Sequence, residues 1–131
     1  MATCRPYDDE HKYFTFVNKS SINLRCQEIW QGIITPADTI YQCQNIPFHI
    51  SADSSLFIKN GSYPRGWETD FKVIPYLQLL IMNEDVYIHY ASMFNFNCDS
   101  IRKYVPILYR YQLKLEDLQR MNWTVVYPPE E

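Results

Sequence analysis

The chain predicts a mainly β fold: an antiparallel β-sandwich of about seven strands with a short C-terminal helical unit. Three observations carry this. Eleven tyrosines and seven phenylalanines stand against three glycines, and aromatic side chains suit the pleated, half-buried surface of a strand. Short apolar runs recur between turn signals, with no helical period separating them, up to about residue 98. The period then changes at Asp99, where apolar residues begin to recur every three or four positions.

Taken in order, "KYFTFVNKSSINLRCQEIW" holds two strands, the second alternating Ile22, Leu24 and Cys26 against Asn23, Arg25 and Gln27. Gly32 and "TPAD" at 35–38 break the chain, after which "TIYQC" and "PFHIS" are short strands. "SLFIKNGSYPRGW" is a strand ending in the Asn60-Gly61 turn. "FKVI", "YLQLLIM" and "VYIHY" complete the series, the last two parted by the turn residues Asn83, Glu84 and Asp85. From Asp99, the residues Ile101, Tyr104, Val105, Leu108, Tyr111, Leu115 and Leu118 trace one apolar stripe, with Asp99 or Ser100 as N-cap. Pro106 interrupts it: inside a helix it would cost about 3 kcal/mol, so the helix starts later or kinks. "TVVYPPEE" either adds a short strand or extends beyond the fold. This pattern divides the chain into a sandwich over 1–98, a helical segment over 99–123 and a tail over 124–131.

Composition narrows the class. A chain of 131 residues supports one core, and 47% hydrophobic content with a net charge of −3 argues against extended disorder and against a nucleic-acid footprint. No apolar leader segment opens the sequence and no run of 18 apolar residues occurs, which gives cytosolic or nuclear residence as the default expectation, with no membrane partner. Cys4, Cys26, Cys43 and Cys98 are scattered without a C-x-x-C pair, so buried reduced thiols are expected. Three N-x-S/T sequons, at Asn18, Asn60 and Asn122, point the other way, towards a secreted glycoprotein.

Reactive chemistry is sparse. His11, His49 and His89 are isolated from one another and from metal-ligand spacings, and the two strand histidines, His49 and His89, are expected to be structural. "DDE" at 8–10 is a solvated acidic run, and three dispersed glycines leave no phosphate loop. Neither a metal nor a cofactor is implied, and an enzyme is disfavoured.

The stripe of the C-terminal segment has two readings: a lid packed on the sandwich, or a face presented to a partner's groove. Here a resemblance adds to the residues. Ser100, Ile101, Val105 and Tyr109, with Leu108 just before, resemble the elongin-binding box of the von Hippel–Lindau tumour suppressor family, and "RYQLKLEDLQRM" is similar to the run that follows it. Upstream, "FVNKS" at 16–20 and Trp30 resemble the opening of that family's β-sandwich, and "TPAD" and "NIPFHISAD" stand where it has a turn and a following strand.

The resemblance implies a non-enzymatic substrate receptor of an elongin and cullin-RING ubiquitin ligase. Ser100, Ile101, Val105, Leu108 and Tyr109 would then dock elongin C, with elongin B, while Leu115 and Leu118 contact a cullin. Trp30, Tyr41, Gln42, Ile46 and Phe48 would line the substrate site. In that site Tyr41, Gln42 and Ile46 replace hydrogen-bonding residues of the family's hydroxyproline pocket, and Ile46 cannot bond a hydroxyl, so the ligand is expected to differ. Two alternatives from other classes stand beside it. One is a stand-alone sandwich interaction module, viral or secreted, which a Cys26–Cys43 disulfide would favour. The other is a binder of a small apolar ligand in a pocket bordered by Trp30, Tyr41 and Phe48.

Overall fold

The computed structural model describes residues 9–31, 47–60, 64–95 and 97–129. Within them the order is β1 (Tyr13–Asn18), β2 (Leu24–Gln31), β3 (Phe48–Ile50), β4 (Ser54–Lys59), α1 (Trp67–Asp70), β5 (Tyr76–Asn83), α2 (Glu84–Met93), α3 (Cys98–Tyr104), β6 (Tyr109–Leu113), α4 (Leu115–Arg120) and β7 (Thr124–Tyr127). The mainly β architecture expected from the sequence is the one observed.

Two sheets face each other. One is three-stranded, in the order β4-β1-β7, and the other four-stranded, in the order β3-β2-β5-β6. Alternation along each strand decides what is buried. On β1, Phe14, Phe16 and Asn18 point inward while Tyr13, Thr15 and Val17 face out. The inward residues meet Leu24, Cys26, Ile50, Ile58, Leu79, Ile81 and Val125, all at most 1% exposed, in the main core. β5 is buried on both faces, from Leu77 to Met82, because its second face is also covered. There Met82 packs with Tyr87 and Ala91 of α2 and with Ile101 and Val105 around α3, so the helix pair makes a third layer.

Several expectations are corrected. "VYIHY" is helical: the Asn83 side chain accepts from the amides of Asp85 and Val86 at 2.9 and 3.2 Å, acidic Glu84 and Asp85 occupy the first turn, and both features favour a helix N-terminus. "FKVI" is a turn after α1, in which Lys72 N donates to Thr69 O (3.1 Å) and Val73 N to Asp70 O (3.0 Å).

The segment 99–123 is not one helix. α3 is capped by Asn97, whose side chain accepts from Ser100 N at 3.0 Å, rather than by Asp99 or Ser100. It ends at Tyr104, just ahead of Pro106, as the disfavour for helical backbone before proline requires. The chain then enters β6 beside β5, crosses through α4 and closes the other sheet as β7. Residues 109–127 therefore belong to both sheets, and neither a separate helical unit nor a tail divides off. β7 also corrects the all-antiparallel expectation, because it runs parallel to β1 from Thr15↔Thr124 to Asn18↔Tyr127.

Candidate functional site at the β3–β4 hairpin

β3 and β4 pair with β2 and β1 and not with each other; the hairpin-like turn between them carries the chain from one sheet to the other and is held by side chains. Asn18, fully buried, provides most of that hold. Its amide donates to Ile22 O (2.9 Å), Ser51 O (3.1 Å) and Ile50 O (3.3 Å), and its carbonyl accepts from Ser20 N and Ser20 Oγ at 2.9 and 2.6 Å. Ala52 N donates to Asn23 Oδ1 at 2.9 Å and Asp53 N to Ser20 O at 3.2 Å. Asp53 takes a left-handed conformation, φ 54°, which Asp tolerates better than most residues.

At the root of the hairpin lies a polar network. Arg25 and His49 are cross-strand partners on β2 and β3, and both reach Glu84 at the start of α2. Arg25 Nε donates to Glu84 Oε2 at 2.7 Å and His49 Nδ1 donates to the same oxygen. His49 Nε2 in turn lies 2.9 Å from Ser51 Oγ. Burial would raise the pKa of Glu84, but the bonds from His49 and Arg25 outweigh it and hold the carboxyl below its ordinary value. The Arg25 guanidinium also sits over the Tyr87 ring, 5.4 Å from its centroid.

Beyond the turn, β4 is an edge strand among the described residues, with β1 as its neighbour in the sheet. Its outward residues are Ser55, Phe57 and Lys59. Phe57 is 62% exposed and packs against Tyr13, itself 51% exposed, with ring centroids 4.9 Å apart. The β7 edge is different, because the Tyr111 hydroxyl donates to Val126 O there.

The residues singled out from the sequence are scattered by this fold. Ile101 and Val105 are 2% and 3% exposed and lie in the second core cluster, whereas Leu108 and Tyr109 are 40% and 41% exposed. Ser100 sits half-buried in the first turn of α3. These five do not form one docking face, since Ile101 and Val105 would have to leave the core to fill a partner's groove. Leu118 is wholly buried in the main core and offers no surface to a cullin, while Leu115 is half-buried. Trp30 lies on β2 opposite Leu77. Phe48 packs partly buried against the main core. Tyr41, Gln42, Ile46 and Cys43 fall outside the described residues. A shallow cleft of about 290 Å³ lies elsewhere, lined by Tyr111, Met121, Thr124, Val126 and Pro129.

His49 is the strand residue with a satisfied ring that its sequence context suggests, but His89 is an exposed helical residue of α2. Arg25, Ser51 and Glu84 carry the network and were not singled out. The i, i+2 spacing of His49 and Ser51 was readable as one face of a strand; the approach of Glu84 was not, because it depends on α2. Among the described residues no group of three or more His, Cys, Asp or Glu is placed to hold a metal ion, and no helix is long and apolar enough to cross a membrane. Cys26 is a free, buried thiol whose pKa burial pushes far up, so it is unreactive.

In comparison with known proteins, no family model, no curated protein and no solved structure matches the chain.

Proposed function

We propose that the chain is a protein-recognition module that captures an extended segment of a partner along the edge of β4. The observation that carries this is the exposed Phe57–Tyr13 pair beside an edge strand of six residues. An added strand would take its affinity from main-chain hydrogen bonds and its selectivity from alternate side chains, which would lie beside those two rings. The Asn18 lock on the hairpin turn supports the reading, because a preordered edge spares the partner part of the ordering cost. Under the family resemblance the sandwich would be the substrate-capturing half of a ubiquitin-ligase receptor, with capture at the β4 edge in place of the site the resemblance implies at Trp30, Tyr41, Gln42, Ile46 and Phe48.

Peptides selected from a displayed random library against the whole chain test it. The expected winners are extended, carry an aromatic or aliphatic residue, protect β4 amides from hydrogen exchange, and lose about tenfold or more in affinity to a Phe57→Ala chain. Protection confined to another element would refute the proposal.

Recruitment of elongin C stands as a second proposal, favoured by the exposure of Tyr104, Leu108 and Tyr109, 55%, 40% and 41%, within six residues. Co-expression with elongins B and C should then give a complex that survives size-exclusion chromatography and is lost in Leu108→Asp. A monomer that ignores the elongins would dismiss it.

A further inference from the structure

Three side chains beside the hairpin stand in the order carboxylate, imidazole, hydroxyl. Glu84 Oε2 accepts from His49 Nδ1, and His49 Nε2 is 2.9 Å from Ser51 Oγ. Their exposure is graded in the same order: the Glu84 side chain is 10% exposed, that of His49 48%, and Ser51 is open to solvent. A shielded carboxylate fixes the ring, and an open hydroxyl can be reached.

The tautomer follows from this geometry. With Glu84 bonded to Nδ1, the neutral ring carries its proton on Nδ1 and leaves the Nε2 lone pair facing the Ser51 hydroxyl, which donates to it in that tautomer. The backbone sets the spacing. Ser51 directly follows β3, two residues on from His49, which brings its hydroxyl to the ring, and Glu84 is positioned by its own amide, which donates to Asn23 O at 3.0 Å. A nucleophile within hydrogen-bond reach of a base, with that base oriented by a third group, is the signature of an activated hydroxyl.

We infer that Ser51 is a base-activated nucleophile that accepts the acyl group of activated esters. Ser51 Oγ attacks the ester carbonyl carbon as its proton passes to His49 Nε2. The bond from that carbon to the leaving oxygen then breaks, and the proton departs with the alcohol. Water attacks the acyl-serine next, giving its proton to the same nitrogen. Collapse releases the carboxylic acid and returns the proton to Ser51. Arg25, on the same carboxylate oxygen at 2.7 Å, holds Glu84 as an anion, so Glu84 orients the ring and does not take the proton.

The structure also sets the substrate class. Ala52 N is bonded to Asn23 and Asp53 N to Ser20, so these two turn amides do not stabilise an oxyanion. The reaction therefore depends on a good leaving group, which selects aryl esters over alkyl esters and amides. This reactivity is independent of peptide capture at β4 and survives if that reading fails.

The test uses the full chain with p-nitrophenyl acetate and a fluorophosphonate, the site being located by mass spectrometry. Ser51 should be modified at least about a hundredfold faster in the native chain than in urea, the gain a positioned general base gives. His49→Gln should lose most of that gain and leave a rate less dependent on pH than that of the wild-type chain, with its fold verified by circular dichroism. Ser51→Ala should abolish the adduct. Equal modification of native and denatured chain, an adduct on another residue, or a rate unchanged in His49→Gln would each overturn the inference.

Discussion

At Asn18 one carboxamide closes two turns, and its position at the inward end of β1 gives it no access to water. Replacing it with Ala would leave the carbonyls of Ile22, Ile50 and Ser51 without this donor, a cost of at least about 2 kcal/mol in urea unfolding, since unpaired buried polar groups cost about 1–3 kcal/mol each. A midpoint within error of wild type would show that water replaces the amide. Asn60 is also buried, at 8% exposed, and its amide donates to Arg65 O and Asp70 Oδ2. Two of the three sequons are thus structural asparagines in the folded chain, while Asn122 is exposed. Glu84 sets a pH dependence. Its folded pKa lies below the ordinary 4.5, so its contribution to stability is complete above that value and is lost as pH falls through the folded pKa. Stability should therefore decline below about pH 4.5, with a shallower decline in Glu84→Gln; parallel curves for the two chains would assign the acid sensitivity elsewhere.

The helices and turns show which local signals prevailed. α4 ends in a Schellman arrangement: Trp123 N donates to Leu118 O (2.7 Å), Asn122 N donates to Gln119 O (3.1 Å), and Asn122 takes φ 55°. Asn122→Ala should cost about 1 kcal/mol, and Asn122→Gly little or nothing, because glycine carries no Cβ penalty there. The reverse order in thermal unfolding would contradict the cap. In the cluster under α2 and α3, Ile101→Ala should cost about 2–4 kcal/mol, whereas Leu108→Asp should unfold at nearly the wild-type midpoint. Most strands were legible as short alternating runs, because alternation is local. What misled was coincidence of period. Ile101 and the C-cap Val105 lie one turn apart at the end of a real helix, and Tyr111 and Leu113 share one face of a real strand, yet their summed spacing imitates one long stripe. Pro106 was the sign that the stripe had to break. The start of α2 was equally present in Asn83, Glu84 and Asp85, an N-cap followed by acidic residues, but the β-branched and aromatic "VYIHY" outweighed it in the sequence.

The whole molecule is closed by contacts that no local pattern announces, and this decides the status of its last residues. β1 and β7 are more than a hundred positions apart, yet Thr15 N donates to Trp123 O at 2.9 Å and Lys19 N to Tyr127 O at 2.8 Å, bracketing their pairing. Around this seam the His11 ring stacks on Trp123 at 3.8 Å, and His11 Nδ1 pairs with Glu68 at 2.7 Å. Without β7 the first sheet would be the two-stranded pair β1–β4, which is marginal alone in water, and its inward Phe14 and Phe16 would lose Val125. The Tyr111 hydroxyl would also lose its acceptor at Val126, uncoupling the open side of the sandwich. A chain ending at Trp123 should therefore lose near-ultraviolet circular dichroism and cooperative unfolding altogether, a far larger effect than the few tenths of a kcal/mol expected from trimming an exposed extension. If that shortened chain instead unfolded cooperatively near the wild-type midpoint, the second edge of the sheet would be dispensable. The Asn18-locked β1–β4 pair would then carry the recognition edge alone. On the contacts present, β1 is held from both sides, so the edge that Phe57 and Tyr13 present to a partner depends on the last strand of the chain.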